Sequence, residues 1–108
     1  VNINQPRGIT LDKRGVLMTS ASGRNSCLAI NSSDMNPIAE TIINISQPRS
    51  IARYGGHYYI GLQNESILVM DSTTFSIRNT ISSPHLNGTR DVIFLNNGTI
   101  MIASSVVT

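Results

Sequence analysis

Apolar residues along the chain come in short runs separated by Gly, Asn, Ser and Asp, which favour turns. No stretch of ten residues carries the 3.6-residue apolar period of a helix without interruption by Gly, Asn or β-branched residues. The pattern therefore predicts short antiparallel strands in units of four. In the first unit these strands are expected near residues 8–12, 16–21, 27–31 and 38–43.

The four strands of a unit differ in how many faces they should bury. Apolar residues occupy consecutive positions in the second and third strands, as in Tyr58–Ile60 and Ile67–Met70, which predicts cover on both faces. The fourth strand alternates, with Phe75, Ile77 and Ile81 set between polar residues, which predicts a half-exposed edge. Stacked sheets with one exposed edge strand are typical of propeller blades.

The same pattern returns with a period of about 41 residues. The segment VNINQPRGI at residues 1–9 recurs as INISQPRSI at 43–51, and RDVIF opens a third copy. The arginines at the start of each copy are Arg7, Arg49 and Arg90, spaced by 42 and then 41 residues. A period of this length also occurs in helical HEAT and armadillo solenoids, but the lack of helical periodicity favours a β-propeller.

The similarity continues through each copy. Gly15, Gly56 and Gly98 each separate two apolar strands. Two further matches align CLAINSSD at 27–34 with ILVMDSTT at 67–74, and IAETI at 38–42 with IRNTI at 77–81. Agreement over the whole period indicates a true structural repeat.

The stretch ILVMDSTTFSIRNTI, followed by RDVIFLNNGTIMIAS, resembles the NHL and YVTN repeats of β-propellers. The resemblance covers nearly the whole chain and implies an all-β fold of four-stranded antiparallel blades in an incomplete ring. It specifies blades and no activity. The third copy departs from the pattern at Thr89, where the others have Pro6 and Pro48, and the second is one residue shorter before Gly56.

The repeat predicts four parts. These are the end of a preceding blade's fourth strand (1–6), one blade (7–48), a second blade (49–89), and the first two strands of a further blade (90–108). Because each blade buries its faces only against its neighbours, other blades are the expected partners. We expect them to belong to the same longer chain; the alternative is that identical chains associate through open blade edges into a ring or fibre.

Charge narrows the choice of other partners. The net charge is +2, and the arginines that make up seven of the eight basic residues are scattered, which predicts no nucleic-acid partner. No apolar run is long enough to predict a membrane span. The single cysteine, Cys27, aligns with Ile67 and is expected to be a buried apolar residue.

The recurring Arg7, Arg49 and Arg90 are the candidate binding residues. They stand at the start of the first strand of each blade, which in a propeller lies beside the central channel. A ring of guanidinium groups there would suit a carboxylate or phosphate ligand. The alternative is that each arginine binds backbone carbonyls across the blade boundary, which explains the recurrence without a ligand.

Five Asn-X-Ser/Thr sequons favour a secreted, glycosylated protein. They begin at Asn31, Asn44, Asn64, Asn87 and Asn97. The alternative for the last two is structural, because Asn-Gly pairs are also what tight hairpins require.

Candidate catalytic or metal-binding groups are missing from the pattern. His57 and His85 have no acid or second histidine at ligand spacing, so no metal and no cofactor is expected. The sequence thus predicts a non-catalytic secreted propeller segment that acts as a scaffold for protein or glycan, including in a multivalent or fibrous extracellular assembly. The alternative is part of a metal-dependent propeller hydrolase or lyase whose catalytic residues lie outside these residues.

Overall fold

The computed structural model describes residues 5–21, 23, 25–43, 47–63 and 66–82, and the backbone alone of 89–94 and 100–104. Within them the chain forms three antiparallel sheets. The strands are β1 (Pro6–Leu11), β2 (Val16–Ala21), β3 (Ser26–Asn31), β4 (Pro37–Ile42), β5 (Pro48–Tyr54), β6 (His57–Leu62), β7 (Ser66–Asp71), β8 (Ile77–Ser82), β9 (Thr89–Phe94) and β10 (Ile100–Ser104).

Each sheet is a meander, in which every strand pairs with the next along the chain. The first sheet has the order β1-β2-β3-β4, the second β5-β6-β7-β8, and the third pairs β9 with β10. The predicted all-β, blade-like architecture is confirmed, and β1 to β4 lie within two residues of their predicted limits. The predicted blade limits at 7–48 and 49–89 stay a prediction.

The tight hairpins between the first two strands of each sheet explain two of the recurring glycines. Gly15 and Gly56 have φ of 79° and 80°, in the left-handed region that glycine adopts without steric cost. Gly98 lies outside the described residues.

The alignment of the fourth strands was wrong by one residue. The turns at 31–36 and 71–76 are equivalent, because Asn31 N–H donates to the Asn36 carbonyl and Asp71 N–H to the Ser76 carbonyl, each over 2.9 Å. Ile77 in the second sheet is therefore equivalent to Pro37 in the first sheet and not to Ile38.

A β-bulge overturns the predicted alternation along β8. The register shifts between Val69 and Met70, so that Ile77 pairs with Met70 while Ile81 pairs with Ile67. Since adjacent residues of β7 point to opposite faces, Ile77 and Ile81 no longer share one face. All six residues of β8 are exposed, whereas β7 is buried throughout except at Asp71, as predicted for a third strand.

The first two sheets stack face to face, and this contact is here called the junction. Its core is an apolar cluster to which both sheets and the connecting residue Ile43 contribute. The members are Met18, Cys27, Ala29, Ile43, Ile51, Tyr58, Ile60, Leu62, Leu68 and Met70, with Val16, Ala39 and Phe75 packed against them. Burial of side chains of this size stabilises the stacking of the two sheets by removing apolar surface from water.

Gly8 brings the first strands of the two sheets into backbone contact. A Cβ atom at Gly8 would lie 2.9 Å from Ile51 N and from Ser50 Cα. The Ser20 hydroxyl accepts a hydrogen bond from Gly8 N–H (2.8 Å) and donates one to the Arg49 carbonyl (3.4 Å). The first strands of the second and third sheets are also in contact, since β5 contacts β9.

Candidate functional site

The structure places the recurring arginines at the same position of neighbouring strands. Arg7 and Arg49 are the second residues of β1 and β5, and Arg90 is the second residue of β9. Arg7 is exposed and Arg49 is half-buried, while the side chain of Arg90 lies outside the described residues. Since β1 contacts β5 and β5 contacts β9, the three positions form a row, called the arginine row. Its role in binding a ligand or backbone carbonyls stays a prediction.

An open cavity adjoins one end of the arginine row. It has a volume of about 260 Å³ and is lined by Pro6, Arg7, Gly8, Ile9 and Thr19. One guanidinium group beside apolar walls suits an acidic group attached to an apolar or sugar framework.

A buried carboxylate in the β1–β2 hairpin forms a second polar site. The Asp12 side chain has no exposed surface. Its Oδ1 accepts hydrogen bonds from the backbone N–H of Arg14 (2.9 Å) and of Val16 (3.1 Å). Its Oδ2 accepts from Arg14 Nε (2.9 Å) and Nη2 (2.7 Å), a two-donor contact that fixes the guanidinium plane.

The same hairpin reaches across the junction to the second sheet. Tyr58 on β6 donates its hydroxyl to Asp12 Oδ2 over 3.3 Å, and Arg14 Nη2 donates to the Ser72 carbonyl over 2.7 Å. Arg53 Nε lies 3.8 Å from the same Asp12 oxygen. These five residues are called the junction network, and they connect three elements of the second sheet to one turn of the first.

Burial and hydrogen bonding act in opposite directions on Asp12. Burial alone would raise its pKa, but hydrogen bonds from the Arg14 side chain and from the Val16 and Arg14 backbone outweigh it, so the pKa lies below its ordinary value. Burial, followed by the nearby Asp12 carboxylate, raises the pKa of Tyr58. The hydrogen bond to Asp12 raises the pKa of Arg14. At neutral pH Asp12 is therefore charged and Tyr58 is a neutral donor.

Sequence reasoning missed the junction network because it is not part of the repeat. The second hairpin has Tyr54 and Gly55 where the first has Asp12 and Arg14. The available signal was local: Asp12 stands two residues before Arg14 and three before Gly15, a spacing typical of a turn closed by an aspartate side chain.

The remaining candidate residues give a mixed result. Cys27 is buried in the junction as predicted, and burial raises the pKa of its thiol to about 12. His57 Nδ1 lies 3.1 Å from the Gly55 carbonyl oxygen, and His85 lies outside the described residues. In the part of the chain that the structure describes, no three His, Cys, Asp or Glu residues lie close enough to bind one metal ion.

The described residues include no helix of the length and apolar character needed to cross a membrane.

Asn31 is the sequon residue that the structure describes, and it lies exposed in the turn between β3 and β4. Its Oδ1 accepts hydrogen bonds from the Ser33 backbone N–H (3.0 Å) and hydroxyl (2.7 Å). Asp71 closes the equivalent turn through Thr73 N–H. These hydrogen bonds explain why an asparagine occurs at this turn position without requiring that it carry a glycan. Asn44, Asn64, Asn87 and Asn97 lie outside the described residues.

Comparison with solved structures identifies the fold. Hydrazine synthase of Kuenenia stuttgartiensis is similar with a TM-score of 0.83 and 17% identity, over 97% of this chain and 30% of that chain. The WD40 β-propeller domain of Doa1 is similar with a TM-score of 0.79 and 14% identity, over 93% and 33%. Sqt1 of Saccharomyces cerevisiae is similar with a TM-score of 0.75 and 13% identity, over 92% and 28%.

No family model matches the chain, and no curated protein matches it. The chain spans about a third of each of these three structures, and at such identities the likeness shows the fold alone. The chain thus has the fold of an open β-propeller segment, in which stacked blades leave an incomplete ring. The NHL or YVTN repeat type stays a prediction.

Proposed function

We propose that this chain is part of a non-catalytic extracellular β-propeller scaffold that binds an acidic group of a protein or glycan at the arginine row. The observation that carries the proposal is that Arg7 and Arg49 occupy the same position of two contacting strands, with an open cavity beside Arg7. Guanidinium groups at equal positions along a row would bind carboxylate or phosphate through charge-assisted hydrogen bonds.

Titration calorimetry with citrate and with inorganic phosphate tests the binding. Arg49→Gln removes one charge from the row, and Arg78→Gln is the matched control because Arg78 is exposed on β8, away from the row. One charge-assisted hydrogen bond contributes about 1.5–3 kcal/mol, so Arg49→Gln should weaken binding about tenfold or more while the control binds like the wild type.

The contrary result would be an Arg49→Gln variant that melts at a lower temperature but binds both anions like the control. Arg49 would then serve the fold by binding backbone carbonyls, and the arginine row would not be a ligand site.

The extracellular assignment rests on the sequons and on the exposed position of Asn31. The protein, made through a secretory pathway, should lose mass on treatment with an Asn-glycan amidase, and Asn31→Gln should lack one glycan relative to an Asn36→Gln control. An unchanged mass would contradict glycosylation. Stoichiometric divalent metal in the purified protein would contradict the non-catalytic assignment and favour the metal-dependent hydrolase or lyase.

A further inference from the structure

The fourth strand of each four-stranded sheet lies at the edge farthest from the first strand. The first strands meet one another, since β1 contacts β5 and β5 contacts β9. The strand order places β4 and β8 at the opposite edge of their sheets. The side of β8 that faces away from β7 is called the outer edge. Backbone N–H and C=O groups along such an edge can pair with a strand of another molecule.

Both fourth strands carry a bulge at the same position. Arg78 is the extra residue of β8, because Ile77 and Asn79 on either side of it pair with consecutive residues of β7. Ile38 is the extra residue of β4 for the same reason. A bulge bends its strand and breaks the even spacing of the backbone groups, so it makes an edge harder to pair.

The rest of the protection differs between the two strands. β4 begins with Pro37, which has no N–H for an added strand, and carries the exposed carboxylate Glu40 further along. Proline and charged side chains are common ways to keep an edge strand from pairing. β8 has Ile77 and Thr80 at the two equivalent positions, and its residues 79–82 carry no charge. The part of β8 beyond the bulge therefore lacks both of these features.

The hydrogen bonds of β7 show which backbone groups of β8 point to the outer edge. Asp71, the last residue of β7, bonds toward β8 with both backbone groups: its N–H donates to the Ser76 carbonyl, and its carbonyl accepts from Phe75 N–H. Because backbone groups alternate in direction along a strand, those of Leu68, three residues earlier, point away from β8. Thr80 pairs with Leu68. The N–H and C=O of Thr80 therefore point to the outer edge.

Asn79 covers the outward N–H of Thr80, because its side-chain Oδ1 accepts a hydrogen bond from that N–H over 2.8 Å. We propose that this contact closes the outer edge to strand addition by a second copy of the chain. An added strand would have to displace the Asn79 side chain before its own carbonyl could bind the Thr80 N–H. Asn79 thus does for β8 what Pro37 and Glu40 do for β4, and the outer edges give identical chains no route to a fibre.

Thioflavin T fluorescence of the concentrated chain, followed over time, tests the proposal. Asn79→Val removes the side-chain acceptor and keeps a residue that favours strands, so the variant should form thioflavin-positive fibres under conditions in which the wild type forms none. Asn36→Val is the matched control, since Asn36 is equally exposed but lies in the turn before β4, and it should behave like the wild type.

A second substitution separates edge pairing from a general gain in hydrophobicity. Thr80→Pro removes the outward N–H and no hydrogen bond to β7, so proline is tolerated at this edge position. The double variant Asn79→Val with Thr80→Pro should therefore return to wild-type behaviour, although it is more apolar than the wild type.

Folding of the variants is checked at Cys27, which is buried in the junction and should stay unreactive toward a thiol reagent. If Asn79→Val exposes Cys27, then Asn79→Gln replaces it, because the longer side chain stays polar but carries its carbonyl away from the Thr80 N–H. Equal fibre formation by the wild type and the Asn79 variant, or fibres that persist in the double variant, would overturn the proposal. Neither outcome bears on anion binding at the arginine row, which is measured separately.

Discussion

The two four-stranded sheets have the same type of turn between their third and fourth strands but differ in the hairpin between their first and second strands. The turns at 31–36 and 71–76 have the same hydrogen bonds, and Met35 and Phe75 at the same position have φ of 61° and 60°. The hairpins differ, because the first contains Asp12 and Arg14 while the second contains Gly55 at the position of Arg14. In both sheets the turn lies beside the hairpin, since Ser32 N–H donates to the Gly15 carbonyl and Ser72 N–H to the Gly56 carbonyl.

The turn is a feature that both blades need, whereas the charged hairpin serves the contact between the first two sheets. Any blade needs the turn that reverses the chain between its third and fourth strands. The charged hairpin is useful only where the neighbouring sheet offers Tyr58, Arg53 and the Ser72 carbonyl. An unmatched sheet would leave Asp12 with its four hydrogen bonds inside the hairpin but without the Tyr58 hydroxyl and the Arg53 guanidinium.

Removing the two turn-forming aspartates one at a time should give the largest effect. Asp12→Ala leaves Tyr58 and two backbone N–H groups without an acceptor and should lower the free energy of unfolding by about 2–3 kcal/mol. Asp71→Ala, the control in the shared turn, removes hydrogen bonds only from exposed Thr73 and Thr74 and should cost less.

Urea denaturation measures both variants, and the labelling rate of Cys27 by a thiol reagent shows whether the junction opens. Labelling should be faster in Asp12→Ala than in Asp71→Ala. Equal losses of stability in the two variants would show that the junction network contributes no more than an ordinary turn.

The next largest change in stability is expected at Gly8, where β1 and β5 approach each other most closely. Gly8→Ala places a Cβ atom against the backbone of Ser50 and Ile51 and should destabilise the chain by about 1–3 kcal/mol. Ser50→Ala is the matched change at the equivalent position. The buried Ser50 hydroxyl has no hydrogen-bond partner among the described residues, so its removal should be neutral or stabilising. Thermal melts of the two variants should move in opposite directions, or only the first should move.

Acid should weaken the junction because the folded-state pKa of Asp12 lies below its ordinary value. The stability from this shift is fully present above the unfolded-state value near pH 4 and is lost as the pH falls through the lower folded-state value. Asp71 has a shift of the same sign, caused first by Thr74 and Thr73 N–H groups. Asp12→Asn should therefore flatten, but not abolish, the fall in denaturation midpoint between pH 5 and pH 2. An unchanged pH profile would show that Asp12 makes no such contribution.

The shared turn should give the smallest effect. Met35 and Phe75 both have positive φ, which costs a residue with a side chain about 1–2 kcal/mol. Met35→Gly should raise the melting temperature slightly, since the exposed side chain adds little packing to offset that strain. Phe75→Gly should lower it, because Phe75 packs against the junction cluster. A rise in both variants would indicate that Phe75 contributes no packing.

The sequence predicted the features that repeat. Alternation and turn residues located β1 to β4 closely, and alignment of Cys27 with Ile67 predicted a buried thiol. The alternation predicted along β8 was wrong because a bulge adds one residue to the strand without changing the apolar pattern. The contact of Asp12 with Tyr58 was missed because their 46-residue separation becomes a contact only when sheets stack.

Gly8 has a consequence for the geometry of any closed ring. At the first junction the neighbouring strands meet backbone to backbone, while the next strand carries Ser50 at the equivalent position and must leave space for a side chain. The size of this one residue therefore limits how closely two neighbouring first strands can approach. A larger side chain there would hold adjacent blades further apart at the centre of a ring, and so would change the curvature with which the blades follow one another.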